Sequence, residues 1–244
     1  MLLENLRNQE DKQSENWILN SVWAFFFIGT LVFFWPSLIK PFGFFEFWTI
    51  KGDLWSAITK VWPLYLWGTG MTMLAIISSG NLQYDQRDPG SLFAIGVIRS
   101  VLAGVLEEVC FRWLLFLSAM VMIPFMNWLL LGFMGLDIIK FIYVSILCPV
   151  ANFFTLGWLE EYLLNGYGWA VAAAIVSSNG RFRNGHAYLG WGGFVNSWFI
   201  GMYLHLVVFT NGLIAAIIIH FLYDFFIFTL EAIMVGLAKK QRFS

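Results

Sequence analysis

Apolar runs of bilayer-crossing length, separated by short polar segments, set the pattern of this chain. The first extends from Trp17 to about Ile39, is rich in Phe and Trp, and is closed by Pro41. A polar-aromatic loop with Lys40, Glu46, Lys51 and Asp53 follows, and the second run covers about Val61 to Ser79. Gly80 to Gly90 is the most polar internal segment, and Asp88-Pro89-Gly90-Ser91 reads as a turn leading to a Ser helix cap. A third run from about Ser91 leads into two adjacent acids, and a fourth covers about Trp113 to Phe133, with a break or kink near Pro124. Later runs cover Ile138 to Trp158 with Pro149 inside, about Leu163 to Ser178, about Phe194 to Thr210, and Gly212 to about Leu237. A membrane-crossing helix needs about 20 apolar residues. The pattern therefore predicts an all-α fold: a polytopic transmembrane helical bundle of about eight spans with a buried polar cavity.

Composition agrees. Hydrophobic residues make up 59% of the 244 positions and charged residues 12%, about half the charged fraction of an ordinary soluble domain. With a net charge of -1 and no basic stripe, nucleic acid is excluded as a partner and the lipid bilayer is the expected surroundings. Cys110 and Cys148 both lie in apolar stretches and imply no disulfide framework. Four regions follow. Residues 1–16 are a polar N-terminal segment that lacks the features of a cleavable signal peptide. Residues 17–90 carry two spans, 91–237 form the chemical core, and 238–244 are a basic tail. The tail cluster Lys239-Lys240-Gln241-Arg242 places the C-terminus of a multi-pass protein in the cytoplasm by the positive-inside rule.

Ionisable groups inside such runs are costly and usually face a bundle interior or a wet cavity. Glu107, Glu108 and Arg112 fall within six residues between apolar flanks. On a helix Glu108 and Arg112 are four apart and face each other, with bidentate geometry available. Glu107 points about 100° away and is free to act as a general base; an ion pair plus a helix-end Glu is the structural alternative. In the last run, His220 and Asp224 share one helix face and either line a cavity or satisfy each other. His186 belongs to a polar, Gly-rich stretch, Asn179 to His186, that continues to Gly190-Trp191-Gly192-Gly193. This stretch is either irregular backbone lining water or a surface loop. His205 lies mid-run without an evident partner and suits an interhelical hydrogen bond. Cys110 is a poor nucleophile, because two neighbouring acids oppose its thiolate.

Three elements occur in order: Glu107-Glu108-x-x-x-Arg112, Phe182-x-x-x-His186 and His220-x-x-x-Asp224. This ordered trio resembles the CAAX protease and bacteriocin-processing family (CPBP, or Abi), relatives of the Ras-converting CAAX endopeptidase, from about Ser91 to Glu231. The resemblance implies an intramembrane endopeptidase that hydrolyses a peptide bond with glutamate-activated water. Under it, Glu107 is the general base, His186 helps hold the water, His220 and Asp224 stabilise the oxyanion, and Glu108 and Arg112 are supporting structure. The implied partner is a peptide or protein substrate, with membrane-anchored and prenylated chains among the candidates. No cofactor is expected, although zinc held by Glu107, His186 and His220 is an alternative; Asp224 and Arg112 suit hydrogen bonding and charge balance better than ligation. A non-catalytic binding or immunity protein using the same pocket is the competing class. A proton-coupled transporter is disfavoured by the lack of inverted repeats.

Overall fold

A computed structural model describes residue 19 and residues 22–79 and 88–242; the polar segment 1–16 and most of the loop 80–90 lie outside the described residues. All regular structure there is helical, with no strand among the described residues. Eight helices organise it: α1 (Val22–Phe34), α2 (Leu54–Lys60), α3 (Trp62–Ser79), α4 (Pro89–Leu129), α5 (Ile138–Phe154), α6 (Trp169–Gly185), α7 (Gly190–Asn211) and α8 (Leu213–Arg242). The expected count of about eight spans is not met. Among the described residues, three helices are long and apolar enough to cross a membrane: α4, α7 and the stretch Leu213–Leu237 of α8.

The reasons are local. α1 stops at Phe34 because Trp35 precedes Pro36 and leaves the helical region, with φ -141° and ψ 74°; the helix ends well before Pro41. The expected third and fourth runs are one continuous helix of 41 residues, about 60 Å if straight and roughly twice the hydrocarbon thickness of a bilayer. Pro124 interrupts its hydrogen bonding without ending it. α5 absorbs Pro149 just after a π turn, Tyr143–Leu147. The Asn127 side chain ties the end of α4 to the start of α5, donating to Asp137 and accepting from the Lys140 N–H. The Gly-rich stretch after Ser178 is mostly helical: α6 continues through Gly185, and His186 is its C-cap.

Helix α4 begins at Pro89 with Asp88 as its cap, not Ser91. Pro at the first position has no N–H to satisfy, and Asp88 Oδ2 accepts the Ser91 N–H at 2.8 Å. That backbone N–H is the main reason the Asp88 carboxyl is held below its usual range.

The polar-aromatic loop is exposed over most of its length but anchored in the core by two of its rings. Ile39, Phe42 and Phe47 are buried, and the two Phe rings join Phe116 and Phe209 in one cluster. Asn211 and Lys51 exchange hydrogen bonds across this junction.

Among the described residues, the most extensive helix packing is that of α4 on α8. Gly96, Ser100 and Gly104 recur every fourth residue on α4 and are buried. A Cβ at Gly104 would meet the Ile217 carbonyl oxygen at 3.0 Å, and one at Gly96 would meet Phe228 Cβ at 2.6 Å. Small residues at this spacing let two backbones approach. Continuing by fours, the same stripe reaches Glu108 and Arg112.

Two outcomes are expected. Gly96→Val forces α4 from α8 and costs roughly 1–3 kcal/mol, read as a lower midpoint of thermal unfolding in detergent; Gly70→Ala, where a Cβ meets nothing within 4 Å, does not lower it. Asp88→Ala also lowers the midpoint at neutral pH. Because the folded carboxyl titrates below its unfolded value, this contribution is present above the ordinary carboxylate range and lost as pH falls through the lowered folded value. The difference between wild type and Asp88→Ala therefore vanishes in acid.

Candidate functional site

At the midpoint of α4 the helix widens into a π segment, Glu108–Leu115. Such widenings re-aim helix side chains and are common at functional sites. Six residues of this segment are buried, including Glu108, Cys110 and Arg112.

Glu108 and Arg112 are both fully buried and form an ion pair, Nη1 to Oε1 at 3.2 Å. The contact is single rather than the bidentate one the spacing allowed. The same Oε1 accepts the Nδ1–H of His220 at 2.8 Å, so one carboxylate oxygen joins α4 to α8. The Arg112 guanidinium lies 3.9 Å above the Phe182 ring, a cation–π contact that suits a buried arginine. Phe182 also packs on His186, His220 and Phe111. The sequence marked Phe182 only as part of a motif; in the fold it is the apolar surface on which the charged groups rest.

Glu107 faces the other way, as expected, and is partly open, with 15% of its side-chain surface exposed. Its Oε1 lies 3.8 Å from His186 Nε2 and its Oε2 lies 3.9 Å from His220 Nε2. Asp224 Oδ2 is 3.6 Å from the same His220 nitrogen. All six residues singled out by sequence therefore meet, although α4, α6 and α8 are far apart along the chain.

The proton positions follow from the partners. A carboxylate only accepts, so His220 Nδ1 carries the proton toward Glu108. His186 Nδ1 lies 2.9 Å from the Phe182 carbonyl oxygen and likewise donates. The Nε2 of each imidazole is thereby turned toward Glu107. Gaps of 3.8 and 3.9 Å are too long for direct hydrogen bonds, and Glu107 Oε2 is buried with no hydrogen-bond partner among the described residues. A water lying off the line between Glu107 Oε1 and His186 Nε2 reaches both at about 2.8 Å. It would donate one hydrogen to each and keep a lone pair available. As an imidazolium, His220 would present Nε2–H beside it.

Sequence reasoning missed two residues. Gly201 on α7 has no Cβ where one would overlap Asn179 Oδ1 and come within 3.0 Å of an Arg112 nitrogen; its absence lets α7 close over the ion pair. Asn179 itself is fully buried and donates to the Trp198 carbonyl. Neither lies in a motif, and a lone Gly among large apolar residues or an Asn beside two Ser gives no signal by itself. His205 has the interhelical role expected of it: Nε2 meets Ser178 Oγ at 3.1 Å and Nδ1 meets the Gly201 carbonyl at 2.9 Å.

Among the described residues, no three His, Cys, Asp or Glu side chains are grouped as a metal's ligands would be. No family model, no curated protein and no solved structure matches this chain.

Removing one member of a buried pair leaves an uncompensated charge. Arg112→Met is therefore expected to lower unfolding stability by about 3–5 kcal/mol. The double variant Glu108→Gln/Arg112→Met should recover part of that loss, measured by chemical unfolding in detergent.

Proposed function

We propose that this chain is a multi-pass intramembrane endopeptidase of the CAAX protease and bacteriocin-processing type, hydrolysing a peptide bond with water activated by Glu107. The observation that carries the reading is the meeting of the three ordered motifs around one carboxylate, with a His Nε2 within 4 Å of each of its oxygens. Three helices of membrane-crossing length and apolarity support the intramembrane setting. In this reading the basic C-terminal tail faces the cytoplasm.

The proposed reaction uses these groups in order. Glu107 and His186 hold the water by its two hydrogens. Glu107 takes one proton as the oxygen attacks the scissile carbonyl carbon, forming a tetrahedral oxyanion. His220, as the imidazolium, supplies a hydrogen-bond donor to that oxygen, with Asp224 beside it on the same helix face. Collapse breaks the C–N bond, and Glu107 returns its proton to the leaving amine. Glu108 and Arg112 do not touch substrate in this scheme. Their work is to fix the tautomer and angle of His220, as the third member of a catalytic triad orients its histidine.

The test is peptide cleavage by purified, detergent-solubilised protein on a pooled peptide library read by mass spectrometry. Glu107→Gln keeps the shape and removes the base, and should lower the rate by about 10²–10⁴-fold while the protein still folds. Chelator should leave the wild-type rate unchanged; loss of cleavage to chelator would favour the zinc version. Full function in Glu107→Gln would move the assignment to a non-catalytic binding or immunity protein.

A further inference from the structure

Helix α6 has a second working face. Phe182 turns toward the Glu107 site, while Val176, Ser177, Gly180 and Arg183 line a separate cavity of about 600 Å³, walled by α5 and the start of α7. Its lining is dominated by apolar side chains such as Leu147, Val150 and Phe199. Tyr143 and Ser177 hydrogen-bond each other within it. Among the described residues, no acidic side chain lines it.

Arg183 lies at the end of the cavity nearest the α6–α7 turn, with its guanidinium 4.1 Å over the Phe194 ring and 5.6 Å from that of Trp198. Two of its N–H groups donate to Asn184 Oδ1. Val176 lies seven residues away, about 10 Å along the helix. The exposed Trp191 ring stands beside this cationic end.

The space is lined mainly by apolar side chains. Inside a bilayer it takes hydrocarbon, and walls from three helices grip one chain rather than letting it slide past. The charged end discriminates further. A guanidinium pinned on aromatic rings keeps a planar donor edge that suits a phosphate, and with no acid among the described lining its charge is balanced by a ligand of net negative charge. Trp rings beside it are typical of the headgroup level. We infer that this cavity binds one acyl chain of an anionic glycerophospholipid, with the lipid phosphate against Arg183. The inference rests on the membrane setting and not on the peptidase chemistry.

The experiment measures lipid retained by the intact protein in non-ionic detergent, by native mass spectrometry. It compares phosphatidylglycerol, phosphatidylcholine of the same chains, and oleate. The wild type should retain phosphatidylglycerol at about tenfold lower concentration than phosphatidylcholine, the scale of one charge-assisted contact. Arg183→Gln should lose that preference with an unchanged melting temperature in the absence of lipid. Val150→Trp, which puts a large ring into the cavity from its exposed rim, should weaken phosphatidylglycerol binding without removing the charge. Equal retention of the two phospholipids by the wild type, or a preference surviving in Arg183→Gln, would overturn the proposal. Oleate displacing phosphatidylglycerol at lower concentration would overturn the phospholipid assignment in favour of a free fatty acid. Should Arg183→Gln fail to fold, undiminished phosphatidylglycerol binding in Val150→Trp would still overturn it.

Discussion

One carboxylate oxygen carries two obligations. Glu108 Oε1 is ion-paired with Arg112 within its own helix and accepts a hydrogen bond from His220 across the helix pair. A carboxylate at zero exposure is tolerable only when opposite charge and hydrogen bonds replace its lost water. Those partners must therefore be close, and their closeness dictates the packing around them. The Gly96, Ser100 and Gly104 stripe removes side-chain bulk between α4 and α8. Gly201 removes it between α7 and Arg112. Phe182 supplies the ring beneath the guanidinium.

The same constraint separates the roles of two neighbouring acids. Glu108 is consumed by structure, fully enclosed and paired. Glu107, one residue earlier and turned by about a third of a helical turn, faces two imidazole nitrogens at distances that leave room for a small molecule. Adjacent residues of one type thus receive different environments without any change in sequence distance. Since His220 contacts both, the rigid pair sets the angle at which the imidazole faces the open carboxylate. This is a way to preorganise a polar site inside an apolar bundle, where reorganising dipoles during a reaction is costly.

α6 links this site with the rest of the molecule. One face carries Phe182 and ends at His186; another lines the cavity in which Arg183 stands. Ser178 on the same helix anchors it to α7 through His205. A helix held in this way has little freedom to rotate, which keeps His186 at the edge of the Glu107 site although it is the capping residue and not an interior one.

The sequence by itself determined the helical class and the apolar surroundings, and it marked Glu107, Glu108, Arg112, His220 and Asp224 as needing partners because charges in apolar runs are expensive; that His186 joins them was implied only by the family resemblance. It also separated Glu107 from Glu108, since helical periodicity alone turns them apart. It misjudged the number of spans. Apolar runs can be counted along a chain, but whether two runs are one helix depends on the groups between them. Here Glu108 and Arg112 pair with each other inside a π segment, and α4 continues through them. The loop with Phe42 and Phe47 read as a connection, yet those two rings are buried because partners from α4 and α7 cover them. Tertiary structure alone decided the closeness of α4 and α8, the place of Gly201 and the ring beneath Arg112. Those depend on what lies opposite each residue, and one-dimensional spacing carries no record of a facing helix.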